Sequence, residues 1–89
     1  MIEDQDSQYE VTRHAPVRGQ PDVCWVAVAR WTRQDGTTQW CVEHWEDRGE
    51  ADRDIDVADE ASGVALAERQ FGITTADWRR GPQPWGRPA

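Results

Sequence analysis

Two apolar runs flank the dipeptide Asp35-Gly36, and that arrangement constrains the chain more than anything else in it. Val23–Thr32 reads Val-Cys-Trp-Val-Ala-Val-Ala-Arg-Trp-Thr, and Thr37–Trp45 is a second β-branched and aromatic run. Neither contains Pro or Gly, so both are expected to be strands. Asp-Gly is a preferred pair for a two-residue type I′ turn. That turn sets Gln34 opposite Thr37, Trp31 opposite Trp40, Ala29 opposite Val42 and Ala27 opposite His44. Side chains alternate along a strand. One face of the expected hairpin therefore carries Trp25, Ala27, Ala29 and Trp31 beside Trp40, Val42 and His44. The other carries Cys24, Val26, Val28 and Arg30 beside Gln39, Cys41, Glu43 and Trp45. The first face is the more apolar. Its two alanines leave a trough between Trp rings, the expected seat of a helix.

The helix is expected within Val57–Phe71. Asp59 is the expected N-cap, with Asp56 competing. Glu60 and Arg69 suit the two ends of the helix dipole, and Gly72 followed by Ile73 is a Schellman-type stop. Val57, Ala61, Val64, Ala67 and Phe71 form an apolar stripe that Leu66 widens. Gly63 costs about 1 kcal/mol in mid-helix, or lets a Trp approach closely. Elsewhere, Tyr9 and Val11 alternate with polar neighbours in Gln8–His14, which reads as a short strand and a candidate edge. Ala15–Asp22 is a loop with two prolines and a glycine. Glu46–Asp56 is an acidic connector that ends in a short strand over Asp54–Val57. Thr75 is placed to cap a turn over Ala76–Arg80.

The fold class is thus α+β: a small antiparallel sheet of three or four strands around a central hairpin, with one C-terminal helix on one face, in the order β-β-β-α. Residues 1–7 read as a disordered leader, 8–80 as a single domain and 81–89 as a flexible Pro/Gly-rich tail. A chain of 89 residues buries only about 60–65% of its unfolded surface. Hydrophobic residues make up 37% of it, so its six Trp, each able to bury on the order of 200 Å², must supply much of the core.

The net charge of −7 argues against binding a phosphate backbone, which needs a basic face, and against an anionic membrane surface. There is no apolar run long enough to span a bilayer, and the acidic start does not resemble a signal peptide. The expected compartment is the cytoplasm, with Cys24 and Cys41 reduced.

Several motifs invite a chemical reading. Cys41 and His44 have a zinc-like spacing, but positions three apart on a strand point to opposite faces. Cys24 lies about 20 Å along the strand from the position opposite Cys41, beyond disulfide reach. Asp52, Asp54 and Asp56 imitate the opening of an EF-hand loop, yet Val57 stands where its Gly is needed and Gly63 where its Glu is needed. No metal or other cofactor is expected. Nucleophilic catalysis requires a nucleophile beside an oriented base. Cys24, Cys41, Ser62, His14 and His44 form no such set in sequence, so no catalytic residue is assigned.

One feature has functional content. From Glu43 to Glu60 nine carboxylates face only Arg48 and Arg53, so this stretch alone carries the whole chain's net charge. Trp45 adjoins it on the more polar hairpin face, and Trp is enriched at binding hot spots. The expectation is a non-enzymatic protein-binding domain, an acidic inhibitor of the immunity type, whose partner is a basic protein. Trp45, Glu46, Asp47, Glu50, Asp52, Asp54 and Asp56 would form the contact. The alternatives are an accessory module that self-associates through a sheet edge such as Gln8–His14, and an acidic mimic of nucleic acid.

Overall fold

The computed structural model describes residues 8–45 and 51–84, with the backbone alone over 51–54. Among them, strands β1 (Gln8–Pro16), β2 (Trp25–Thr32), β3 (Thr38–Trp45) and β4 (Ala51–Val57) precede helix α1 (Glu60–Phe71), a short 3-10 turn (Thr75–Asp77) and a two-residue strand β5 (Arg79–Arg80). The strands form one antiparallel sheet in the order β4-β3-β2-β1-β5. The fold is α+β with one helix on the sheet, as the sequence predicts, but the sheet has five strands, not three or four. β4 starts at Ala51, earlier than Asp54. Where a capped turn was expected over 76–80, Thr74 and Asp77 close a capping box and Arg79–Arg80 pair with β1.

The hairpin register differs by one residue from the type I′ expectation. Trp31 pairs with Gln39, Arg30 with Trp40, Ala29 with Cys41 and Val28 with Val42. The reason lies in the turn. Gly36 donates its N–H to the Arg33 carbonyl at 2.9 Å and Arg33 donates to the Thr37 carbonyl at 2.8 Å, while Gly36 has a φ of 89°. This is a three-residue loop, a turn followed by a left-handed glycine. Asp35 fixes it by accepting from both the backbone N–H and the hydroxyl of Thr37.

That extra loop residue leaves the faces of β3 as expected and exchanges those of β2. The helix lies on the face of Val26, Val28 and Val42, not on the trough of Trp25, Ala27, Ala29 and Trp31. Its core joins Ala15, Val17, Val23, Val26 and Val42 to Ala67, Phe71 and Ile73, with Ile55, Val57, Leu66 and Trp78 around them. Gly63 meets Val28 and Val42 rather than a Trp. Trp31 and Trp40, expected side by side, lie on opposite faces. The helix ends themselves follow the sequence: Asp59 Oδ1 accepts from Ser62 N at 2.8 Å, and Gly72 adopts the left-handed conformation at φ 69°.

β1 also departs from a plain alternating strand. A bulge falls between Val11 and Arg13, where the Thr12 hydroxyl donates to the Val28 carbonyl. The extra residue shifts the alternation. Arg13 and Ala15 consequently point to the helix side, whereas Val11 and His14 point away. β1 is therefore no simple edge: β2 pairs along it, and β5 covers Arg13 and His14 on its other side.

Candidate functional site

No described helix covers the face of the sheet opposite α1. It is built from Tyr9, Val11 and His14 on β1, Trp25, Ala27, Ala29 and Trp31 on β2, Cys41, Glu43 and Trp45 on β3, and Asp56 on β4. The register explains the grouping. Tyr9 pairs with Trp31 and Val11 with Ala29, Ala29 with Cys41 and Ala27 with Glu43, and Cys41 with Asp56. The small alanines form the floor, with Val11 and Cys41 buried beside them and Trp45 packed against the cluster.

Glu43 is the unusual member. It is only 4% exposed, although carboxylates are seldom buried without partners. The Tyr9 hydroxyl donates to it from two strands away, and the Cys41 thiol lies 4.0 Å from its other oxygen. Tyr9 in turn rests on Trp31, with ring centroids 4.7 Å apart. These two rings are the exposed large hydrophobic groups among the described residues. At the other end of the face, His14 meets Trp25 edge-on at 5.5 Å and bonds to the Gly81 carbonyl through Nδ1 at 2.7 Å. Alternation alone could have grouped Glu43 with Cys41, but the Tyr9 contact required the strand order.

The acidic residues expected to form a contact are only partly gathered here. Glu46, Asp47 and Glu50 lie outside the described residues, as do residues 1–7 and Trp85. Asp52, Asp54 and Asp56 belong to β4, an edge strand of the described sheet, rather than to a loop. The backbone register sets Asp54 opposite Glu43 and Asp56 opposite Cys41, while Asp52 falls at a bulge between the His44 and Trp45 pairings. Asp56 is exposed. Ile55 and Val57, on the other side of the strand, pack under the helix. Trp45 is half-buried on the same face as Asp56.

The remaining candidates are dispersed. His44 lies on the helix side, its ring 5.7 Å from that of Phe71, so Cys41 and His44 point to opposite faces. Both cysteines are free and buried. The residue opposite Cys41 is Ala29 rather than Arg30. Ser62 is the residue whose N–H the Asp59 cap holds. Among the described residues no three His, Cys, Asp or Glu side chains gather in a metal-binding group, and no helix is long and apolar enough to cross a membrane.

No protein-family model matches the chain, and neither a curated protein nor a solved structure is significantly similar to it.

Proposed function

We propose that the chain is a non-enzymatic protein-binding domain, an acidic inhibitor of the immunity type, that docks on a basic protein through its helix-free face and the adjoining edge strand β4. The observation that carries this reading is the placement of Asp56. It is exposed on an edge strand, beside the buried Cys41–Glu43 pair, and none of the ion pairs among the described residues includes it. Opposite charge on a partner is the favourable complement to such an edge, and it speeds encounter as well as fixing register. Trp45 supplies an aromatic anchor on the same face.

The test is capture of a partner from the native host, followed by affinity measurements across a salt series with wild type and Asp52→Asn/Asp54→Asn/Asp56→Asn. The reading predicts a basic partner, binding that weakens with salt, and a loss of at least about tenfold in the neutralised variant. Equal affinity in the two proteins, or an acidic partner, overturns it. Competition with DNA for the captured protein would point to the mimic instead.

A specific observation favours the accessory module as a second reading. No described strand pairs with the outer side of Gln8–Val11 in β1, and the exposed Tyr9–Trp31 pair lies beside that edge. Self-association there predicts a dimer that survives high salt and is lost on Trp31→Ala.

A further inference from the structure

On the helix side of the sheet α1 stops short. Twelve helical residues span about 18 Å, whereas the eight-residue strands beneath span about 26 Å. The hairpin end carrying Arg30 and Trp40 therefore projects past the helix N-terminus. The step between them is a cleft of about 460 Å³ lined by Glu10, Thr12, Arg13, Arg30, Trp40, Glu60, Arg80 and neighbouring backbone. Its volume falls within the range typical of small-ligand sites.

Three of the chain's ten basic residues converge on this cleft, from β1, β2 and β5. Convergence is unexpected in a protein of net charge −7, and it has a structural cause: the β1 bulge turns Arg13 to the helix side. Two of the three arginines are steered by carboxylates. Arg13 Nε lies 3.3 Å from Glu60 Oε2. Arg30 Nη2 binds Glu10, and its guanidinium lies over Trp40 at 5.6 Å. A guanidinium has five N–H donors in a fixed fork, so each arginine keeps donors beyond the one committed nitrogen. Arg80 has no ion-pair partner among the described residues. The cleft is thus lined by three arginines contributed by three strands, and its two carboxylates do not match three guanidinium groups. A carboxylate's acceptor directions lie in one plane, whereas a tetrahedral oxyanion accepts from directions spread around it, as donors arriving from three strands require.

We propose that the cleft between the α1 N-terminus and the projecting hairpin binds a phosphate group, held by Arg13, Arg30 and Arg80. The site lies on the opposite side of the sheet from the acidic face and does not depend on the partner-binding reading. The experiment is an NMR titration of the intact chain, following backbone amides and arginine Nε–H resonances. The probes are inorganic phosphate, a sugar phosphate and acetate. Phosphate should give saturable shifts confined to Arg13, Arg30, Glu60, Arg80 and Gly81, with acetate about tenfold weaker. A sugar phosphate that binds more tightly than inorganic phosphate identifies a phosphate ester as the ligand, and equal binding identifies the free anion. Arg80→Ala removes an exposed side chain and should preserve the fold, as its unchanged distant resonances will show, while weakening phosphate about tenfold. Arg13→Lys, which keeps the charge but loses the fork, should also weaken it. Absent or non-saturating shifts, shifts equally large at Arg33 and Arg69, or an unaltered Arg80→Ala titration overturn the proposal.

Discussion

Gly63 of α1 lies against Val28 of β2 so closely that a Cβ at position 63 would stand 3.1 Å from Val28 Cγ1 and 3.4 Å from Val42 Cγ2. Both valines are fully buried, and a β-branched side chain has little rotamer freedom with which to retreat. The glycine sets the depth at which the helix sits. Gly63→Ala gains about 1 kcal/mol of helix propensity but overpacks a full core at a typical cost of about 1–3 kcal/mol. Net destabilisation of roughly 1 kcal/mol is expected in urea denaturation. Adding Val28→Ala to Gly63→Ala should give less total loss than the sum of the two single variants, because each relieves the other.

The hairpin turn yields a second expectation. Gly36 holds φ at 89° with open space around its Cα, so Gly36→Ala meets no clash and should lose about 1 kcal/mol from backbone conformation alone. Deleting Gln34 tests the loop itself. It leaves Asp35-Gly36 as a two-residue loop between Arg33 and Thr37, which already face each other across the turn, so β2 keeps its register with β3 and Val26 and Val28 keep their place in the core. A cooperative thermal transition should be retained, and its loss would contradict this register.

Glu43 and Tyr9 provide a third. The Tyr9 hydroxyl donates to a carboxylate that is 4% exposed. Removing a donor from a buried acceptor costs about 1–3 kcal/mol. Tyr9→Phe should lose that much stability while keeping the ring contact with Trp31. A loss close to zero would show that the bond contributes nothing.

The helix start should weaken in acid. Thr12, whose hydroxyl proton is shared between Glu60 and the Val28 carbonyl, holds the Glu60 carboxyl below its ordinary range; burial opposes it, and the Arg13 guanidinium and the charge of Arg80 lower it further. A carboxyl depressed in the folded state stabilises fully above its unfolded pKa, and that stabilisation is lost as pH falls through the folded value. Glu60→Gln should therefore flatten part of the stability decline below the ordinary carboxylate range. At neutral pH its effect should be under about 1 kcal/mol, because the Arg13–Glu60 pair is partly exposed.

Much of this fold was legible in the sequence, and the one large error has a local cause. Helix caps are written in single residues, so Asp59, Gly72 and the burial of Phe71 could be read directly. The hairpin could be read as well, but not its register. Asp-Gly serves both a two-residue type I′ loop and a three-residue loop ending in a left-handed Gly, and Thr37, two residues after Asp35, is the small signal that favours the latter. That ambiguity exchanged the faces of β2 and misplaced the helix seat. The β1 bulge and the two-residue β5 have no periodicity to betray them, so the arginine cleft they create was invisible. On the acidic side, the sequence marked Asp54 and Asp56 but could not set them across from Glu43 and Cys41, because that relation depends on β4 pairing with β3.

The account turns on which side of the sheet α1 occupies, since that choice leaves Glu43, Trp45 and Asp56 on the helix-free face. A methyl-resolved NOE spectrum in solution tests it most directly. Cross-peaks from the Gly63 α-protons to the methyls of Val28 and Val42 are predicted, with none to Ala27 or Ala29. Cross-peaks from Gly63 to the two alanines would contradict the packing and the binding face that follows from it.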